Sequence, residues 1–186
     1  MVAVMEAGLR ARIDAHLRWT ASVGKDGCQL VAEDLDLMGA DLAGFDLNGA
    51  EVPGSNFAGA RLAGTDLYAA NAASAVFRDA DLTGATLAKA NLDYADLRGA
   101  RLTDANLIRT SLEEADLRGA DLQRADMRKA YLINADLTGA DLRGADLSNA
   151  ALRGARLQGA QLDGANLDGA TFDAPDSKLS ESPSST

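Results

Sequence analysis

Few side chains in this sequence are of a kind that does chemistry. His16 is the sole histidine and Cys28 the sole cysteine. A histidine dyad or a multi-histidine metal centre needs several such groups together, and an intramolecular disulfide needs two thiols, so all three are excluded. Cys28 reads as a buried or inert thiol, and one free cysteine fits a reducing compartment. No Gly-rich loop precedes a helix as a phosphate cradle would. The only recurring chemical groups are carboxylates. Asp96, Asp116 and Asp136 recur at intervals of twenty, a spacing that stacks them and suggests cation binding. Yet Arg78, Arg98 and Arg118 run beside them at the same interval, and mutual neutralisation is the simpler reading. The sequence therefore predicts no enzyme, no cofactor and no metal.

The elements that carry these residues follow a period of five. From Ala95 to Leu147 every fifth residue is Leu or Met, and two places before it stands Ala, broken once by Thr110. A period of five fits neither an α-helix nor a flat strand. Short units repeated many times signal a solenoid, in which each unit buries its apolar side only by stacking on neighbours. The register holds from Leu37 to Phe172 without insertion, giving 28 consecutive units over residues 35–174. The Asp or Asn before each apolar centre suits hydrogen bonding to nearby backbone amides. Gly often ends the unit, as at Gly39, Gly99, Gly119 and Gly139, which suits a turn with φ > 0. Most acidic residues are thus architectural.

The pattern A-(D/N)-L-x-x resembles the pentapeptide-repeat family. The resemblance implies an all-β fold, a right-handed quadrilateral parallel β-helix with four units per coil and seven coils. Residues 1–34 then form a lead-in cap, 35–174 the rod, and the Ser-rich residues 175–186 a disordered tail. Residues 3–22 read as a helix, with Leu9, Ile13, His16 and Leu17 on one face and Arg10, Asp14 and Arg18 paired on another. Gly24 and Gly27 end it, and Trp19 packs on the open end of the first coil.

Charge and hydropathy narrow the setting. A net charge of −10 disfavours nucleic acid and acidic membrane, and no apolar run approaches the ~20 residues of a membrane span. The start lacks the basic and apolar regions of a secretory leader, so the protein reads as cytoplasmic.

Sorting the units onto four faces exposes an asymmetry. Their last residue is mostly Gly on the first two faces. On the third it runs Gly49, Ala69, Lys89, Arg109, Lys129, Asn149, Gly169, and on the fourth Gly54, Ser74, Tyr94, Glu114, Asn134, Gly154, Ala174. Ile108, Glu113, Tyr131 and Ile133 lie in the same zone. Exposed aromatics, aliphatics and Arg together are what interfaces enrich. The sequence thus points to a protein-binding or scaffolding module of unidentified partner, its surface formed by Lys89, Tyr94, Ile108, Arg109, Glu113, Glu114, Lys129, Tyr131 and Ile133. The resemblance adds an alternative, since some family members protect DNA gyrase from quinolones or toxins by mimicking duplex DNA. That needs a continuous acidic face, whereas residues 35–174 hold 21 acidic and 13 basic residues. An ice-binding surface would need an outward Thr ladder, and Thr83 with Thr103 is too short. At the far end Leu157, Leu162, Leu167 and Phe172 are left with one side toward water, which predicts a homodimer through the C-terminal coil.

Overall fold

The computed structural model describes residues 7–173. One helix, α1 (Ala7–Ala21), precedes a parallel β-helix. The ladder consists of 25 parallel bridges, each joining a residue to one twenty positions later, from Val31↔Glu51 to Ala151↔Thr171. Twenty residues are four units, so the chain returns over itself after every fourth pentapeptide.

The unit 95–99 explains why the pattern has five places. Asp96 N–H donates back to the Ala75 carbonyl (3.0 Å), Leu97 N–H forward to that of Asp116 (2.8 Å), and Gly99 N–H forward to that of Arg118 (3.1 Å). Ala95 N–H closes the corner onto the Leu92 carbonyl at 3.1 Å. The fifth amide, Arg98 N–H, has no backbone acceptor and donates instead to Asp96 Oδ1 at 3.3 Å. Every amide of the unit is thereby satisfied, as a buried backbone demands. The same Asp or Asn to amide bond recurs in seventeen described units.

Centre and corner side chains fill the rod. Leu97, Leu102, Leu117 and Ala100 are fully buried, with Leu62 and Leu82 in earlier coils. Each such Leu contributes about 1.5–3 kcal/mol of burial. Polar corners are also satisfied. Thr110 Oγ1 donates to the Leu87 carbonyl and Thr65 Oγ1 to that of Leu42, both at 2.7 Å. Ser55 Oγ accepts the Leu35 N–H at 3.1 Å. Leu35 and Phe45, the two large corners, are only partly buried.

The first coil begins one unit before the leucine period. Residues 30–34 already sit in the ladder: Ala32 N–H meets the Glu51 carbonyl (2.8 Å) and Asp34 N–H that of Pro53 (3.0 Å). Their centre is Ala32, too small to register as part of a Leu repeat.

α1 lies across this end. Ile13 and His16 are buried, with Leu9 and Leu17 partly so. Positions 3–6 of the expected helix lie outside the described residues, as does the tail from 174 onward. Arg10 pairs with Asp14 at 3.2 Å, and no Asp14–Arg18 pair forms among the described residues. The helix ends in a Schellman motif, Gly24 N–H to the Trp19 carbonyl (2.8 Å) and Val23 N–H to that of Thr20 (3.1 Å). Val23, not Gly24, therefore takes the capping left-handed place, at φ 54, although it is β-branched. Cys28 is exposed, which excludes the buried half of the buried-or-inert reading, because the lead-in runs over the surface after Gly27.

His16 is the pin between cap and rod. Its Nδ1 accepts the Leu30 N–H at 2.9 Å, and its ring stacks on Trp19 with centroids 5.6 Å apart. An accepting Nδ1 requires the neutral imidazole, and burial holds the pKa below its ordinary value despite Asp46 and the Leu47 backbone, which raise it. A depressed histidine pKa stabilises the fold above the unfolded value of ~6.5, and this contribution falls away as pH drops below it. The melting temperature should therefore decline between pH 7.5 and 5.5. His16→Asn, lacking the chain's only imidazole, should show a flat profile there; an equal slope in both would exclude the pin.

Phe57 and Phe77 stack one coil apart, centroids 4.8 Å and planes 2° from parallel. Ala72, the one centre reduced to Ala within residues 35–174, is buried in the same coil as Phe57 and just before Phe77. The small residue leaves volume for both rings. Ala72→Leu should destabilise by about 1–3 kcal/mol through overpacking. A higher melting temperature for this variant would contradict it.

Candidate functional site

Every described unit from 35 onward places its last residue in the left-handed region, whether or not that residue is Gly. Twelve residues there are not Gly, with φ between 53 and 61. Nine of the twelve lie on the third and fourth faces: Ala69, Lys89, Arg109, Lys129 and Asn149, then Ser74, Tyr94, Glu114 and Asn134. Left-handed backbone costs an ordinary L-residue about 1 kcal/mol, less for Asn. Strain is thus concentrated where large side chains face solvent.

The ladder aligns the third-face residues Lys89, Arg109 and Lys129 one coil apart, all exposed. Lys89 Nζ donates to the Tyr68 hydroxyl at 2.6 Å and lies 5.0 Å from that ring's centroid. Among the described residues Arg109 and Lys129 form no ion pair. Other arginines do: Arg61 pairs with Asp41, Arg124 with Asp104, Arg128 with Asp126 and Arg143 with Asp141. Tyr94 and Glu114 form the matching exposed column of the fourth face.

Tyr131 is 50% exposed and continues the column Asn91–Ser111–Tyr131. Ile108, Glu113 and Ile133 are half-buried, so the two isoleucines contribute edges to the surface and do not project fully. Their position follows the centre directly, where the side chain leans on the neighbouring coil. Glu113 shows a repair between coils. Ser111 leaves the fifth amide without its usual acceptor, and Asp93 of the preceding coil takes both Glu113 N–H (2.9 Å) and Ser111 Oγ–H (2.6 Å). An open hollow of about 460 Å³ adjoins the fourth face, lined by Glu114, Asn134, Asp136, Gly154 and Arg156.

The first face carries the carboxylate column whose spacing suggested a cation site. Instead Arg98 Nε and Nη2 grip Asp96 at 2.8 and 2.7 Å, Arg78 adds a bond to Asp96 at 2.6 Å, and Arg118 grips Asp116 at 2.8 and 2.6 Å. Arg98, first among its neighbours, holds the Asp96 carboxyl well below the usual range. Thr83 and Thr138 hydroxyls likewise lower Asp81 and Asp136. Among the described residues no three His, Cys, Asp or Glu side chains cluster to hold a metal ion.

At the far end Leu157, Leu162 and Leu167 are half-buried and Phe172 is 46% exposed, whereas the corresponding leucines of the middle coils are fully buried. Sequence reasoning missed the left-handed strain as such, although the loss of Gly on two faces was its visible trace.

Replacing a strained residue by Gly should stabilise the rod. Tyr94→Gly and Arg109→Gly should each add about 0.5–1 kcal/mol in chemical denaturation, and Asn134→Gly less. Destabilisation by both of the first two would mean that their side chains pack on the rod more strongly than the backbone strain opposes them.

Comparison with curated proteins finds no match. The family model "Pentapeptide repeats" matches in eight copies, over residues 36–71, 65–104, 100–139 and 135–173. Among solved structures, the pentapeptide repeat protein Rfr23 from the cyanobacterium Cyanothece 51142 is 41% identical, with 50% of this chain and 64% of that one covered and a TM-score of 0.49. The chain thus spans somewhat under two thirds of Rfr23. HetL from Nostoc sp. strain PCC 7120, described as involved in heterocyst differentiation regulation, is 32% identical over 86% of this chain and 95% of its own, TM-score 0.46. QnrB1, a plasmid-mediated fluoroquinolone resistance protein, is 19% identical over 78% of this chain and 89% of its own, TM-score 0.48. The family match runs through about three quarters of the chain, in the register that the bridges themselves follow. The chain belongs to the pentapeptide-repeat family, whose members imply a right-handed β-helix.

Proposed function

We propose that this protein is a non-enzymatic, cytoplasmic protein-binding or scaffolding solenoid, its rod a quadrilateral of seven coils. The lead-in, read as 1–34 in the sequence, gives way to the ladder at residue 30 and caps the first coil, and the tail read over 175–186 lies outside the described residues. The partner surface comprises Lys89, Tyr94, Arg109, Glu114, Lys129 and Tyr131, with Ile108, Glu113 and Ile133 at its edges. The observation that carries this reading is the concentration of nine strained, non-Gly turn residues on two adjoining faces. Strain retained where Gly would relieve it argues for the side chain's use elsewhere. Unpaired Arg and Lys beside exposed Tyr form the mixture that binding hot spots favour. Membership of the family fits a binding rather than a catalytic role, and among the described residues no helix is long and apolar enough to cross a membrane.

Protection of DNA gyrase by DNA mimicry is the less favoured reading. Asp96 and Asp116 are each gripped by arginine, which breaks the continuous negative face that mimicry needs. A gyrase supercoiling assay with and without quinolone separates the two, since the scaffolding reading expects no effect. The exposed apolar end supports a homodimer through Leu157, Leu162, Leu167 and Phe172, related by a two-fold axis. Sedimentation velocity should then show a concentration-dependent dimer that Leu167→Arg abolishes, and a strict monomer would exclude it.

The surface itself is tested by reversion to the repeat pattern. Tyr94→Gly, Arg109→Gly and Tyr131→Asp together should fold at least as stably as the parent, since two strained turns are relieved and the Ile133 amide gains an acceptor. Capture of the native-host partner that the parent retains should be lost. Equal capture by parent and triple variant would remove these faces from the function.

A further inference from the structure

α1 and the first coil meet in a cleft that the partner surface does not use. It encloses about 270 Å³ and is lined by Trp19, Thr20, Val23, Gly24, Asp46 and Asn48. Small-molecule sites run from about 300 to 1,000 Å³, so this one accommodates a single long side chain more readily than a cofactor.

Its electrostatics have one sign. Among the described residues Asp46 forms no ion pair, in contrast to Asp41 on the preceding unit and Asp126 four coils along the same column. One Asp46 oxygen accepts the Asn48 N–H at 3.1 Å, leaving the other for a ligand. The one titratable group packed behind the wall is His16, which stacks on Trp19 and lies near enough to Asp46 to feel its charge. His16 cannot neutralise that carboxylate while its Nδ1 accepts the Leu30 amide. The C-terminal end of α1, the negative pole of its dipole, forms the remaining wall. Arg18 belongs to that last turn but does not line the cleft. Trp19 is half-buried and adds an aromatic surface.

We infer that this cleft takes the guanidinium of an arginine presented by a partner protein, stacked on the Trp19 ring and bonded to the Asp46 carboxylate. A planar fork suits both contacts at once, whereas the ammonium of lysine is a compact point charge that cannot stack.

Trp19 is the only tryptophan, so its fluorescence reports the cleft directly. The probes are N-acetyl-arginine amide, its neutral isostere N-acetyl-citrulline amide, and free L-arginine. The blocked arginine should give a saturable change, with citrulline needing at least tenfold more. Free arginine should bind more weakly than the blocked form, because its α-ammonium and α-carboxylate both lose hydration at the cleft, whereas the blocked backbone is uncharged. Asp46→Asn should lose the same tenfold for the blocked arginine while keeping its turn bond, since Asn56, Asn106 and Asn166 accept the equivalent amide. The combined Tyr94, Arg109 and Tyr131 reversion should leave the titration unchanged, which keeps this site separate from the rod's faces. Equal response to arginine and citrulline, no saturable response, or an Asp46→Asn variant that binds like the parent would overturn the inference. Free arginine binding as tightly as the blocked form would overturn the partner-borne source.

Discussion

One amide in five finds no partner in the ladder. The backbone of this rod satisfies four donors per unit by geometry alone, and the fifth, on the residue after each centre, depends on a side chain. Asp and Asn have the reach to turn back two residues along the chain and accept it. Their place in the repeat is therefore a structural requirement before it is a charge. Where it is unmet, the structure improvises, as Asp93 does for Glu113 from the adjoining coil. Twelve of the 28 acidic residues are Asp in this role, so a good part of the chain's acidity is a count of turns.

The second constraint is the left-handed residue that closes each side. Gly meets it without strain, yet twelve units of the rod use something else. Some of these substitutions are matched by the coil that follows. Asp79 lies against Gly99 and Asn134 against Gly154, so that a side chain at the later position would collide with the earlier one. Gly is then kept in one coil because its neighbour gave it up. Lys89, Arg109 and Lys129 follow a different rule. Their column carries like charges one coil apart with no Gly between them, and among the described residues only Lys89 finds a side-chain partner, Tyr68. The two patterns separate a substitution absorbed by packing from one left facing solvent.

Much of this was legible in the residues. The five-residue period, the small corner, the Asp to amide bond and the Asp–Arg compensation all follow from spacing, because a solenoid maps sequence interval directly onto spatial neighbourhood. What lay off the period was harder to read. The unit 30–34 escaped because Ala32 gives no Leu signal, although its bridges are as regular as the rest. The helix end was assigned to Gly24 on propensity, but the Schellman pairing counts positions from the last helical carbonyl and so puts Val23 in the left-handed place. Cys28 was read as buried or inert, and the path of the lead-in leaves it outside, which removes the first of the two. His16 could be placed on the inner face of its helix, but not bonded to Leu30, since that contact depends on how the helix sits on the rod. Among the proposed surface residues, Tyr94, Arg109 and Tyr131 emerged exposed, whereas Ile108 and Ile133 sank halfway, because side chains beside the centre lean on neighbouring coils.

The two ends of the rod differ in how they finish. At the start, α1 covers the first coil and His16 supplies a ring nitrogen where Leu30 N–H would otherwise lack an acceptor. At the far end the last described residue performs a related task, with Asp173 Oδ2 accepting Gly154 N–H at 2.8 Å, where the repeat elsewhere uses a backbone carbonyl. Asp173 thus stands in for a carbonyl of the next coil, and His16 for the corner-closing carbonyl that a preceding unit would supply. They satisfy hydrogen bonds but differ in what they do for apolar area. Ile13 comes with the helix and is buried, while nothing described lies over Leu162 and Leu167. In a solenoid each coil contacts only its neighbours, so an uncovered end cannot be offset from the middle. Apolar cover at the first coil and none described at the last is the asymmetry on which the proposed end-to-end dimer rests.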